Sequence, residues 1–310
     1  MKKTTFLCLM LALMLALATT FTACTPTDDP NTPDEPTKKT CKVHKDENGD
    51  GTCDVCDKVL TKVTYTSWKI MTNLGSEYET TVHKYVTNVK GPTIAIIGGT
   101  HGDEVAGWTA GLQLVEDLKT MDGICGTVLL IPQVNILADR LQKRYAGQGS
   151  NGMYNGVKHT DLNRAFPGSA TGTVTQKIAN AIVTTIEEYS CDYIIDLHES
   201  RASYSDGERY ILGDSVIYSN GASAFFVEEM IRKYNTEYKP KDEVDFSFYT
   251  NPEQGSFDQY FSDSQPDTVV FTVETNRDIK GLHGNQSNVE VRVRQQLNIL
   301  SAMFDMAWSR

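Results

Sequence analysis

The stretch Thr93-Ile94-Ala95-Ile96-Ile97-Gly98, running on into Gly99-Thr100-His101-Gly102-Asp103-Glu104, decides how this chain folds. Its first six residues are a continuous run rich in branched apolar side chains, the mark of a strand buried on both faces. Beyond the glycines, Val105, Leu112, Val115 and Leu118 recur at helical spacing and predict a helix over residues 102–119. A buried strand feeding an amphipathic helix is the repeating unit of an α/β sheet. Residues 127–131, 193–197 and 269–273 read as further buried strands. Residues 174–189, with Ile178, Ala181, Ile182 and Ile186 aligned, and residues 289–308 read as helices. The expected fold class is α/β, a mixed, largely parallel central sheet flanked by helices, over residues 61–310.

Polar side chains follow the strands. His101 and Glu104 lie just past the first, His198 ends the run Asp196-Leu197-His198-Glu199-Ser200, and Glu274 ends the run that begins at Val269. Ligands bind open α/β sheets at the carboxyl ends of strands. Two imidazoles and one carboxylate leave a fourth position of tetrahedral zinc open, which is the pattern of a catalytic site. The plainer readings are a buried structural His198 and a Glu274 paired with Arg277. A further segment, Asp161-Leu162-Asn163-Arg164-Ala165-Phe166-Pro167-Gly168, sets an amide beside a guanidinium fork suited to a carboxylate.

HGDE, DLNRAFPG, DLHES and TVE, in this order, resemble the zinc carboxypeptidase superfamily. That superfamily spans carboxypeptidase A-like peptidases, cell-wall peptide carboxypeptidases and the succinylglutamate desuccinylase/aspartoacylase branch. The resemblance implies one catalytic zinc held by His101, Glu104 and His198, with Glu274 as general base. It implies that Asn163 and Arg164 hold a substrate carboxylate, and that Arg144, or failing it Arg140, polarises the scissile carbonyl. The segment SFYTNPEQGSFDQYF is similar to the carboxypeptidase specificity loop, which implies an active-site Tyr249 and a pocket-lining Phe257.

The first residues read as an address. Lys2 and Lys3 precede an apolar run, and small residues lead to Cys24. This order predicts a signal peptide over residues 1–23 with lipidation of Cys24, hence export and a lipid anchor on the outer face of a bacterial membrane. Residues 24–40 are rich in Pro, Thr and Asp and read as a solvated tether. Residues 41–60 form a small module holding Cys41, His44, Cys53 and Cys56. Its spacing suits a closed structural zinc site. Asp46, Asn48, Asp50, Asp54 and Asp57 allow a calcium loop instead, and an oxidised knot is the third reading.

Composition narrows the function classes. The formal net charge of −11 speaks against nucleic acid, whose phosphates demand clustered Lys and Arg. Three readings of the activity remain. Only 36 residues follow Glu274 and they read as one helix, so the favoured expectation is a carboxypeptidase-type metallopeptidase acting on peptides outside the cytoplasm, cell-wall peptides among the candidates. The alternative is an N-acyl-amino-acid deacylase of the desuccinylase/aspartoacylase type. The third is a non-catalytic binding module on the same scaffold.

Overall fold

A computed structural model describes residues 60–309 except 122, 201–211, 251 and 278–287, together with residues 47, 52–56 and 58. The address, the tether, Cys24, Cys41 and His44 lie outside the described residues. Of the small module, Cys53 is buried and its N–H donates to the Lys58 carbonyl at 2.8 Å, while the Glu47 N–H reaches Asp54 Oδ2 at 2.7 Å. Among the described residues no helix is long and apolar enough to cross a membrane.

In chain order the strands are β1 (Val63–Ile70), β2 (Thr80–Thr87), β3 (Thr93–Gly98), β4 (Thr127–Ile131), β5 (Met153–Tyr154), β6 (Val157–Lys158), β7 (Tyr193–Ser200), β8 (Ser215–Ile217), β9 (Ser247–Tyr249) and β10 (Val269–Asn276). The α-helices are α1 (Val105–Asp117), α2 (Ile136–Leu141), α3 (Val174–Glu187), α4 (Gly221–Lys233), α5 (Phe257–Ser264) and α6 (Val289–Trp308). Eight strands form one sheet in the order β1-β2-β4-β3-β7-β10-β8-β9. Its centre, β4-β3-β7-β10, is parallel throughout, and antiparallel pairings occur outside it, at β1/β2, β2/β4 and β10/β8. The expected mixed, largely parallel sheet is what forms.

Alternation along the central strands divides the core into two layers. Ile94 and Ile96 of β3 join Ala110 and Leu114 of α1, Phe226 of α4 and Met303 of α6. Ala95 and Ile97 join Ile178 and Ile182 of α3 and Phe257 and Phe261 of α5 on the other face. Buried apolar side chains of this size each contribute about 1.5–3 kcal/mol. The helices are seated closely where glycine allows it. A Cβ on Gly107 would stand 2.4 Å from the Leu197 carbonyl of β7, so α1 lies on that strand only with glycine there.

A buried ion pair ties the first layer together. Arg292 of α6 donates to Glu199 Oε1, and Glu199 Oε2 accepts the Ala106 N–H at the start of α1 at 2.8 Å. Glu199 thus supplies the capping carboxylate that Glu104, at the N-cap itself, does not. Cys125 and Cys191 are separate buried thiols rather than a disulfide. Burial pushes the Cys191 thiol up to about 12, with Asp192 adding to it.

Asp139 of α2 is a poorly satisfied buried side chain. Both its carboxylate oxygens are buried without a hydrogen-bond partner, against the backbone of Gly99. Burial raises its pKa well above the ordinary carboxylate range, and nearby Gln133 offsets little of this. Between the unfolded and folded values the native state holds one proton more than the unfolded chain, so this group makes stability fall as pH rises. Asp139→Asn is therefore expected to raise the melting temperature at neutral pH, with the gain shrinking toward pH ~4, where the unfolded carboxyl also protonates. An equal shift at both pH values in calorimetric melts would show that the carboxyl is not strained by burial.

Candidate metal centre and substrate pocket

The loop after β3 carries His101 and Glu104 on a turn, closed by the Glu104 N–H donating to the His101 carbonyl at 3.2 Å. The helix starts only at Val105 rather than at residue 102. Glu104 is held out of helical geometry at φ −100° and ψ 68°. Gly102 explains why the loop is fixed: a Cβ there would lie 2.0 Å from the backbone of Ala138. His198 arrives from the second strand of the site. In β7, Asp196 and His198 face the α3/α5 layer, while Leu197 and Glu199 face the other.

The two imidazoles converge on one carboxylate. His101 Nδ1 lies 2.8 Å from Glu104 Oε1, and His198 Nδ1 lies 2.8 Å from Glu104 Oε2. The rings meet edge to face at 77°, with centroids 4.8 Å apart. One ligating atom from each of the three residues lies within 4.8 Å of the others, and all three are buried. The far nitrogens are taken as well. His101 Nε2 faces Asp161 Oδ1 at 3.0 Å, and His198 Nε2 faces Asp196 Oδ2 at 2.7 Å. A carboxylate can only accept, so Asp161 and Asp196 hold a hydrogen on each Nε2; Glu104 likewise only accepts, and a divalent ion between it and the two Nδ1 atoms would take the place of the hydrogens there. This is the orientation that carboxylate–histidine–metal triads require, so the residues present fit a divalent ion.

The electrostatics agree. Burial opposes the charge on Glu104, yet His101 and His198 hold it well below the usual range. Burial likewise opposes the charge on His198, and Asp196 and Glu104 outweigh it and raise its pKa. Asp161 is ionised for the same kind of reason, since His101 and Arg144 overcome its desolvation. Thr100 donates to Asp196 at 3.0 Å. Asp161, Asp196 and Thr100 hold the two imidazoles in place and have no part in the sequence-based expectation. Their signal lay in the motifs themselves, as the Asp of DLNR and the Asp of DLHES.

Glu274 stands beside His198 because β10 and β7 pair in parallel with these two residues in register. Its Oε2 is buried and unpartnered. Burial above all, with Glu104 and Asp196 adding and His198 and Arg144 opposing, pushes its carboxyl up to about 8. Arg277 is not its partner. It bonds Asp103 Oδ2 and the Asp103 carbonyl, each at 2.9 Å. Arg144 donates through Nε to Asp161 Oδ2 at 2.8 Å and approaches Glu104 Oε1 at 3.5 Å, so it lies beside the ligands, whereas Arg140 is exposed.

These groups open on one pocket of about 370 Å³, lined among others by Arg144, Asn163, Arg164, Tyr249 and Glu274. Asn163 Oδ1 accepts the Phe257 N–H at 2.9 Å, which leaves its amide N–H groups to donate to a ligand. Arg164 is partly exposed and donates to the Asn163 carbonyl at 2.7 Å. One expectation fails. Phe257 does not line the pocket: it is fully buried, with its ring 5.3 Å from Phe166 and 4.9 Å from Phe261. The helical turn that sends Phe257 into the core directs its neighbours Ser256 and Asp258 to the pocket instead.

Residues 90–206 match the model of the succinylglutamate desuccinylase/aspartoacylase catalytic domain, a branch of the zinc carboxypeptidase-like superfamily, and the resemblance carried by HGDE, DLNRAFPG and DLHES stands. A curated relative, the N-alpha-acetyl-L-2,4-diaminobutyric acid deacetylase of Halomonas elongata, is 39% identical over 116 residues. That match covers 36% of this chain and 31% of the relative, so the chain spans under a third of the curated relative's length. Solved structures share the fold. The product-bound ectoine utilization protein of Ruegeria pomeroyi matches with TM-score 0.53 and 19% identity, over 79% of this chain and 67% of that one. The carboxypeptidase A of Helicoverpa armigera matches with TM-score 0.57 and 14% identity, over 79% of this chain and 69% of that one.

Asp161→Asn and Asp196→Asn each remove a carboxylate that orients an imidazole. Each is expected to weaken zinc binding ~10- to 100-fold, read by competition with a chromophoric chelator. Unchanged zinc affinity in both variants would mean that these carboxylates do not position ligands.

Proposed function

We propose that the chain is a zinc-dependent deacylase that hydrolyses the amide bond of N-acyl amino acids. The observation that carries this reading is the catalytic-domain match over residues 90–206, with a named deacetylase 39% identical across 116 residues. It supports the desuccinylase/aspartoacylase alternative over the carboxypeptidase expectation, since the likeness to carboxypeptidase A extends to the fold alone. The peptidase reading keeps one support of its own, a Tyr249 that lines the pocket. Export and an anchor at Cys24, as the sequence suggests, would place the activity outside the cytoplasm.

His101, Glu104 and His198 would hold the metal, which supplies Lewis acidity to the attacking water and to the acyl carbonyl. Asn163 and Arg164 hold the carboxylate of the amino-acid half through an amide donor and a guanidinium fork. That grip sets the scissile amide against the ligand cluster. Glu274 accepts a proton from the attacking water and returns it to the leaving nitrogen. With a cation held by His101, Glu104 and His198, this buried carboxyl would stand in its ionised, accepting form. The Arg144 guanidinium, aligned by Asp161, faces the negative charge that builds on the carbonyl oxygen.

Glu274→Gln is expected to lower kcat by at least ~10³-fold while zinc content stays near one ion per chain, because the ligand set is untouched. The substrate arm compares N-acetyl amino acids with short peptides, each with and without a chelator. Release of acetate that the chelator abolishes bears the reading out. Release of a C-terminal residue from peptides, with acyl amino acids untouched, would return the assignment to a carboxypeptidase. Zinc binding with no turnover of either class would favour a binding module.

A further inference from the structure

Arg277 joins three strand ends. β10 and β7 stay in register to Asn276 and Ser200, and one residue further the Arg277 N–H donates to the Ser200 carbonyl at 2.8 Å. From that fixed backbone the side chain crosses to the turn after β3. Its Nη1 reaches both Asp103 Oδ2 and the Asp103 carbonyl, each at 2.9 Å. Asp103 stands between the ligands His101 and Glu104, where β3 has ended at Gly98 and α1 has not yet begun. Neither a sheet ladder nor a helix spans this turn. The Gly102 N–H on the Lys143 carbonyl, at 3.0 Å, is one hold on it, and Arg277 supplies another through Asp103. The pair is largely withdrawn from solvent, with side chains 20% and 27% exposed. Asp103 Oδ1 is buried without a hydrogen-bond partner, so this carboxylate depends on the bond at Oδ2. Taking the guanidinium away would leave a desolvated anion, which the turn could relieve only by moving toward water. His101 and Glu104 would move with it.

We propose that Arg277 is a positioning residue: by clamping Asp103 to the end of β10 it fixes the metal-ligand turn relative to Glu274. Glu274 lies three residues before Arg277, so one side chain ties the base to the ligands. The assignment rests on the zinc-hydrolase reading of the site and adds a residue to it. Arg277 also borders the pocket, so the competing role is direct contact with substrate, and the experiment separates the two.

The test uses the full chain, as apoprotein and zinc-loaded, for the wild type, Arg277→Gln, Arg277→Lys, Asp103→Ala and the Arg277→Gln/Asp103→Ala pair. Zinc affinity is read by competition with a chromophoric chelator. The constants kcat and KM are read at saturating zinc on an N-acetyl amino acid that the wild type hydrolyses. Arg277→Gln is expected to weaken zinc binding ~10-fold or more and to lower kcat ~10²-fold, with KM within ~3-fold of the wild type. Arg277→Lys keeps the charge without the planar fork and recovers part of both losses. With Asp103→Ala already present, Arg277→Gln costs zinc affinity less than ~3-fold, because its partner is gone. Unchanged zinc affinity with a raised KM makes Arg277 a substrate contact and overturns the inference. Unchanged zinc affinity with only a lowered melting temperature overturns it too, leaving an ion pair that serves the fold. An equal loss with and without the Asp103 carboxylate overturns the route through Asp103. The zinc arm needs no turnover: if no acyl amino acid is hydrolysed, the deacylase reading fails while the affinities still decide the role of Arg277. Should Arg277→Gln not fold, Arg277→Lys and Asp103→Asn carry the same comparison.

Discussion

The parallel pairing of β7 with β10, which sets His198 opposite Glu274, is the constraint from which the rest of the site follows. Side chains alternate across a sheet, so a slip of one residue would turn every side chain of β10 to the other face. Thr275 would then stand in the pocket and Glu274 among the helices α1 and α6. The apolar neighbours hold the register: Val270 belongs to one layer, and Phe271 and Val273 to the other. The same core that stabilises the sheet therefore determines which carboxylate meets which imidazole.

Two glutamates trade roles across that sheet. Glu104 occupies the N-cap of α1 but spends its oxygens on the imidazoles and on the Glu199 N–H, at 2.9 Å. Glu199 follows His198 on the opposite face, caps α1 in its place and is held by Arg292. The position of His198 is thus coupled through the backbone to an ion pair in the helical layer behind it. Breaking one partner of such a buried pair costs about 3–5 kcal/mol, so the strand end carrying the ligand is strongly fixed.

Much of this was legible in the sequence, because the informative residues sit where strands stop. The unbroken apolar runs at 93–98, 193–197 and 269–273 announced buried strands, and His101, His198 and Glu274 stood at or just past their ends. The outer strands β1 and β2 were not legible. They pair antiparallel, β1 at the edge of the sheet is largely exposed, and neither needs a continuous apolar run. The helix start was placed too early because Gly102-Asp103-Glu104 is compatible with a helix locally. In the fold Gly102 lies so close to the backbone of Ala138, distant in sequence, that no Cβ fits there, and Glu104 takes up a non-helical φ −100° and ψ 68° before the helix starts at Val105. Phe257 was assigned to the pocket by a linear likeness, but pocket and core differ there by a single residue on a helix. Which of Phe257 and Asp258 faces the ligand depends on the rotation of α5, and that is fixed by Phe166 and Phe261.

His101, Glu104, His198 and Glu274 would serve a peptidase and a deacylase alike, so the two readings part elsewhere in the pocket. The proposed anchor at Asn163 and Arg164 accepts any free carboxylate, whether it ends a peptide or belongs to an acylated amino acid. On the proposed reading, discrimination would fall to the rest of the lining, where Ser256, Asp258 and Thr272 stand beside Ile217 and Leu212. A polar, partly charged floor binds weakly any group that cannot return its hydrogen bonds, because its own buried groups are then left unpaired. Ser256 and Asp258 occupy the helix start that also buries Phe257, so changes to that side of the pocket and changes to core packing are bound to the same turn.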